Sequence, residues 1–153
     1  MKTVVIGIGN TLLSDDGVGI YVARELAPKL KDRPDITVLE SFNAGLELID
    51  KISEFDRAIL IDSIISEKEK PGQVFRYTVE DFRNAVHLST YHDMNFPTAI
   101  ELYKKSGIAL PSEIVIIAIT VEDMLTLREE CTPKVAKAIP LAVERVLREI
   151  DNR

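Results

Sequence analysis

The sequence predicts an α/β fold: a single three-layer α/β/α domain over residues 1–153, with a mostly parallel, twisted sheet of about five strands flanked by helices on both faces. The short β-branched runs are continuous rather than alternating, which is typical of strands buried on both faces. Segments with apolar residues at helical spacing separate these runs. Because strands and helices alternate, most strands should be parallel and joined by helical crossovers. The length of 153 residues, 46% of them hydrophobic, fits one domain.

The first half of the chain contains three predicted strands and two predicted helices. Thr3–Ile8 (TVVIGI) is a buried strand, and the first helix follows from an apolar stripe at every fourth position, Val18, Val22, Leu26 and Leu30. The acidic pair Asp15-Asp16 precedes this stripe, where an N-terminal cap is expected. A strand over Ile36–Leu39, a short helix over Gly45–Ile52 and a strand over Arg57–Ile61 that stops at Asp62 complete this half.

The second half begins with the charged segment 66–72 (SEKEKPG), which predicts a solvated loop and turn. The elements expected after it are a strand over Gln73–Tyr77, a helix over Asn95–Lys105, and a strand over Glu113–Ile119. Thr132-Pro133 then predicts the start of the closing helix, with threonine as N-cap and proline at the first helical position. Pro140 is expected to kink that helix or split it in two.

Composition excludes several classes of protein. The net charge of −6 argues against nucleic acid as a partner, since phosphate binding normally requires a basic surface. The single cysteine, Cys131, rules out an intramolecular disulfide and a thiolate zinc site, and it favours a reducing cytoplasmic setting. The longest aliphatic run, Ile114–Ile119, is too short to cross a bilayer, and the amino terminus lacks the pattern of a signal peptide. We therefore expect a cytoplasmic protein with no nucleic-acid or membrane partner, and separately we expect it to be a monomer.

The candidate site lies where the predicted strands end, because ligands of parallel sheets gather at the carboxyl edge. Asp16 follows the first strand, Asp62 follows the third, and His92 lies in the loop before a helix. Each residue also has an ordinary structural interpretation. An acid of the Asp15-Asp16 pair can be a helix cap, Asp62 a turn residue, and a lone histidine such as His87 merely exposed.

Two carboxylates and one imidazole at one edge form a ligand set suited to Zn, Ni, Mn or Fe, with coordination positions left open. An open metal site polarises a carbonyl and lowers the pKa of bound water, so hydrolysis is the reaction class that follows most directly. We therefore predict Asp16, Asp62 and His92 as both catalytic and metal-contacting residues. Spacing alone does not select a substrate.

Several motifs together resemble the hydrogenase maturation endopeptidases, and the similarity spans almost the whole chain. They are G-I-G-N-T-L-L-S-D-D-G-V-G after the first strand, N-A-G-L-E-L after the second, I-D-S after the third, P-G at the hairpin, S-T-Y-H-D before a helix, and T-P-K-V-A-K-A-I-P in the closing helix. The resemblance implies an endopeptidase that removes a short C-terminal extension from the precursor of a [NiFe] hydrogenase large subunit once nickel is in place.

The resemblance also implies roles for individual residues. Asp16 matches the second acid of the family's first loop, Asp62 the acid that ends the third strand, and His92 the histidine of the S/T-x-x-H type loop. In the family these positions contact the metal. The resemblance also implies that the substrate precursor carries the nickel, and no organic cofactor is expected. Ser63 departs from the family pattern, in which alanine is common after the strand-three acid.

Three other functions remain open. A nucleotide-binding Rossmann-like module would use Gly7 and Gly9 for the phosphate turn and Glu40 for a ribose hydroxyl, although the third glycine position is Leu12. A non-cleaving accessory protein would bind nickel or the precursor without cutting it. A nucleophilic hydrolase would need Ser63 or Cys131, but neither lies in a G-x-S-x-G context; Cys131 is instead expected to be a small buried apolar residue.

Overall fold

A five-stranded sheet forms the centre of the molecule in a computed structural model that describes residues 1–42, 45–86 and 95–152. The strands are Thr3–Ile8 (β1), Ile36–Ser41 (β2), Arg57–Ile64 (β3), Val74–Thr78 (β4) and Glu113–Thr120 (β5). Their order is β2-β1-β3-β5-β4, and all neighbours are parallel except β4, which pairs antiparallel with β5. The predicted mostly parallel sheet is confirmed.

Among the described residues, five α-helices cover the sheet: Val18–Lys29 (α1), Leu46–Ile52 (α2), Val79–Val86 (α3), Asn95–Lys105 (α4) and Pro133–Asp151 (α5). A 3₁₀ turn over Ser14–Gly17 precedes α1. Side chains alternate between the two faces of each strand, so the continuous apolar runs supply two cores. On one face, Ile59 and Ile61 of β3 pack in a cluster with residues of α1 and α5, and on the other Leu60 packs with residues of α2, α3 and α4. The three-layer architecture follows from this double burial.

The third strand is longer than the sequence predicts. It continues through Asp62 and Ser63 to Ile64, because β5 offers parallel partners as far as Ile64 opposite Thr120. The interpretation of Asp62 as a turn residue is therefore wrong.

Two helices also differ from expectation. Helix α3 was not predicted; Thr78 initiates it by accepting a hydrogen bond from the backbone N–H of Asp81 at 3.1 Å, and Phe82 anchors it in the core. Pro140 was expected to kink or split helix α5. The structure has one continuous helix through Pro140, so of these two outcomes the split is wrong. Proline removes one backbone hydrogen bond, whereas a stripe of buried residues that includes Val135, Val143 and Val146 holds both halves of α5 on the sheet.

A buried ion-pair cluster joins the end of α5 to the sheet. The Glu149 carboxylate accepts hydrogen bonds from Arg57 Nη2 at 3.0 Å and from Arg76 Nε at 2.9 Å, and Arg57 also pairs with Glu113. Arg57 and Glu149 are 3% and 6% exposed. The hydrogen bond from Arg76 is the main cause that lowers the pKa of Glu149 below its ordinary value. In the described ranges no helix is long and apolar enough to span a bilayer.

Candidate active site

The candidate site lies at the carboxyl end of β1, where the strand order reverses. The chain leaves β1 for β2 on one side and later returns to β3 on the other, so β1 and β3 border the switch point of the sheet. In open α/β sheets this is where ligands bind. The segment that follows β1 carries Asp15 and Asp16, and β3 carries Asp62.

Gly9 allows the segment after β1 to fold back closely on itself. Its φ of +147° lies in a region that side-chain-bearing residues rarely adopt, and a Cβ there would lie 1.9 Å from the backbone oxygen of Asp16. The backbone N–H of Asn10 donates to Asp16 Oδ2 at 2.9 Å. The fold-back therefore places the Asp16 carboxylate beside the end of β1.

Ser63 contacts both candidate carboxylates. Its backbone N–H donates to Asp62 Oδ1 at 2.8 Å, and its hydroxyl makes a long hydrogen bond of 3.5 Å to Asp16 Oδ1. Asp16 and Asp62 are each 3% exposed. Ser63 thus links Asp16 to β3 at the position next to Asp62, although the two acids lie 46 positions apart in the sequence. Sequence reasoning did not assign Ser63 this role; its departure from the family alanine was the only signal.

Asp15 has a different role from its neighbour. Its carboxylate accepts the backbone N–H groups of Glu122, Asp123 and Thr132 at 3.1, 3.0 and 2.7 Å, and the Thr132 hydroxyl at 3.0 Å. The residue is fully buried. Asp15 therefore holds the chain between β5 and α5 against the 3₁₀ turn.

The expectation that an acid of this pair caps the first helix is wrong. Gly17 occupies the N-cap position of α1, and no side chain caps that helix. Thr132 is the N-cap of α5, as predicted, but its side chain makes no cap hydrogen bond and its hydroxyl points to Asp15 instead.

The third predicted member of the site, His92, lies outside the described residues, as does His87. Within the part of the chain that the structure describes, no group of three histidine, cysteine, aspartate or glutamate side chains is arranged to hold a metal ion. Asp16 and Asp62 are two buried carboxylates, and carboxylate oxygen is a donor that divalent metals accept.

The family model of hydrogenase maturation proteases, named HycI, matches residues 20–149, which is most of the chain. This chain belongs to the hydrogenase maturation protease family. It is therefore a hydrolase that cuts peptide bonds. The hydrogenase 2 maturation protease of Escherichia coli strain K12 is 25% identical over 151 residues, which cover 96% of this chain and 89% of that protein.

Solved structures of maturation proteases share the fold. The maturating endopeptidase HybD from E. coli superposes with a TM-score of 0.76 at 25% identity, covering 99% of this chain and 93% of its own. The [NiFe] hydrogenase maturation protease HybD from Thermococcus kodakarensis gives a TM-score of 0.70 at 25% identity, covering 97% and 98% of the two chains.

The first loop of this maturation protease is poorly suited to a nucleotide phosphate. The backbone N–H of Gly9 donates to the Ser41 carbonyl at 3.0 Å, and that of Asn10 donates to Asp16, so both donors are already engaged. Glu40, the residue expected to reach a ribose, pairs with Arg24 at 3.1 Å. The nucleotide-binding interpretation does not fit these contacts, and family membership favours a peptidase over a non-cleaving accessory protein.

Cys131 is unsuited to act as a nucleophile in this maturation protease. The residue is half-buried and packs against the core shared by α1 and α5. Burial, with a smaller contribution from the Asp15 charge, raises the pKa of its thiol to about 12. A thiol that stays protonated near neutral pH is unreactive, which agrees with the predicted small apolar role.

Proposed function

We propose that this protease removes the C-terminal extension from the nickel-loaded precursor of a [NiFe] hydrogenase large subunit, with the precursor's nickel as the recognition element. Family membership and the likeness to a solved [NiFe] hydrogenase maturation protease support the proposal. We propose further that residues 1–153 act as one domain, as a monomer and in the cytoplasm, without an organic cofactor.

The observation that carries the proposal is the contact of Ser63 with Asp16 and with its neighbour in the strand, Asp62. The Ser63 hydroxyl contacts Asp16 and its backbone N–H contacts Asp62, and both carboxylates are buried. Two carboxylates held in this way attract a divalent cation, and nickel accepts oxygen and imidazole donors. His92, in the segment between α3 and α4, is proposed as the third donor.

In the proposed mechanism the chain's own residues position the substrate. Asp16, Asp62 and His92 contact the nickel already held by cysteines of the precursor, so metal loading becomes a condition for binding. The scissile peptide then lies beside the carboxylates. One aspartate, or a water that it activates, accepts a proton as general base during attack on the peptide carbonyl. When bound, the metal distinguishes a nickel-loaded precursor from one that has not yet received nickel.

The direct test incubates the protein with candidate large-subunit precursors, with and without nickel, and measures the intact mass of the products. The wild type should release a C-terminal fragment only from nickel-loaded precursor. The near-isosteric changes Asp16→Asn and Asp62→Asn, and His92→Ala, should abolish release while thermal unfolding stays cooperative. The exposed Asp32 provides a matched control, since Asp32→Asn should process the precursor at the wild-type rate.

Full activity in any one of the three variants would remove that residue from the site. Absence of C-terminal mass loss from every nickel-loaded precursor tested would count against the substrate assignment. Equal cleavage with and without nickel would contradict the recognition role of the metal while leaving the peptidase activity in place.

A further inference from the structure

The chain between β5 and α5, residues 121–132, is fixed against the segment that carries Asp16. Leu13 and Arg128 form a parallel β-bridge, in which Arg128 N–H donates to the Leu12 carbonyl at 3.0 Å and Ser14 N–H donates to the Arg128 carbonyl at 2.9 Å. The Asp15 N–H donates to the Asp123 carbonyl at 2.9 Å, and the Asp15 carboxylate binds the two ends of the same loop. The loop and the Ser14–Gly17 turn are therefore joined into one hydrogen-bonded unit.

Asp123 fixes the tip of this loop from within. Its carboxylate accepts the backbone N–H groups of Leu125 and Thr126 at 3.0 Å each, and the Thr126 hydroxyl at 2.6 Å. The same hydrogen bonds lower the pKa of Asp123 to about 2. At neutral pH the tip of the loop is thus held by an ionised carboxylate.

This fixed backbone exposes three leucines, Leu12, Leu125 and Leu127, which we name the leucine rim. Their exposed fractions are 52%, 76% and 81%. Single exposed leucines are ordinary, but these three stand on two segments that are bridged to each other, one of which leads directly into the turn that carries Asp16. The hydrogen bonds that hold the loop in place prevent it from collapsing to bury them.

We propose that the leucine rim docks the folded body of the precursor, outside the cleaved peptide; this rests on the function proposed above. Leu12 precedes the Ser14–Gly17 turn in the chain, and Leu125 and Leu127 lie on the loop that is bridged to the same segment. A protein whose peptide reaches Asp16 in that turn therefore also comes close to the leucine rim. A backbone fixed before binding loses little conformational entropy when the partner arrives, which favours docking.

The charge around the rim indicates the chemistry of the partner surface. The loop carries four acids, Glu122, Asp123, Glu129 and Glu130, against the single cation Arg128. The complementary patch on the precursor is therefore apolar at its centre and basic at its edge. A second copy of this acidic chain, with its net charge of −6, would place like charges against each other.

The test compares the double variant Leu125→Ser/Leu127→Ser with the control Leu102→Ser/Leu141→Ser. The control leucines lie on α4 and α5 and are 54% and 56% exposed, so both variants replace solvent-exposed leucines and should fold. Steady-state cleavage of nickel-loaded precursor should show KM raised about tenfold or more in the rim variant, with kcat unchanged. The control should keep the wild-type KM.

Direct binding of wild type and rim variant to the precursor, together with sedimentation of each free protein, completes the test. Equal affinities and equal KM values would overturn the docking proposal while leaving the proposed function intact. Loss of affinity in the rim variant would support it even if no cleavage occurred, in which case only the proposed function would fail. A wild-type dimer that the rim variant dissociates, with precursor binding unchanged, would assign the rim to self-association and overturn the proposal.

Discussion

Replacing Asp15 by alanine should destabilise the protein because it removes one acceptor shared by four donors. Two of these donors, the N–H groups of Glu122 and Asp123, belong to residues that are exposed or half-exposed, so water can replace the carboxylate there. The N–H and hydroxyl of Thr132 are different, since that residue is 8% exposed. A buried donor left without an acceptor costs about 1–3 kcal/mol. The change should therefore cost about 3 kcal/mol.

The assay is thermal unfolding of the wild type, Asp15→Ala and the exposed control Asp32→Ala, followed by circular dichroism at pH 7. For a chain of this length each kcal/mol corresponds to about 2–4 °C, so Asp15→Ala should lower Tm by about 6–12 °C. Asp32→Ala should stay within about 2 °C of the wild type, as surface changes usually do. A Tm for Asp15→Ala within that same margin would refute the assignment of Asp15 as the residue that holds the loop.

Three further outcomes follow from the structure. Glu149→Gln should cost about 3 kcal/mol at pH 7 because it leaves Arg57 and Arg76 without their shared carboxylate. Because folding lowers the pKa of Glu149, its contribution is complete above the ordinary value of 4.5 and is lost as pH falls below it, so the gap in Tm between wild type and variant should narrow toward pH 3. Gly19→Ala should unfold or aggregate, since a Cβ would lie 2.3 Å from the Ile61 carbonyl oxygen, which solubility and Tm will show. Iodoacetamide at pH 8 should leave Cys131 unmodified in the folded protein and alkylate it in urea, as measured by intact mass.

Sequence patterns predicted the parts of the fold that depend on local spacing. Continuous β-branched runs identified the parallel strands, and apolar residues at helical spacing predicted α4 with the bounds that the structure has, Asn95–Lys105. Helix α3 was missed because its eight residues carry only a short apolar pattern directly after β4. The extension of β3 to Ile64 depends on partners in β5, which no local pattern reveals.

The candidate site shows the same division between local and distant information. The carboxyl-edge rule indicated where Asp16 and Asp62 lie, since it depends only on strand order. The role of Asp15 was out of reach, because its partners Glu122 and Thr132 are 107 and 117 positions away. Its position before an apolar helical stripe suggested a helix cap, and a hydrogen bond to a distant backbone leaves no trace in residue spacing.

The 3₁₀ turn explains why two adjacent acids have separate tasks. With three residues per turn, successive side chains point about 120° apart, so Asp15 and Asp16 cannot face the same neighbour. One carboxylate faces the backbone of residues 122, 123 and 132, and the other faces Ser63 on β3. Because both project from the same four-residue turn, the hydrogen bonds that fix the exposed loop also fix the backbone of Asp16. In the proposed complex, a precursor docked on the loop would rest on backbone that is hydrogen-bonded to the turn carrying Asp16.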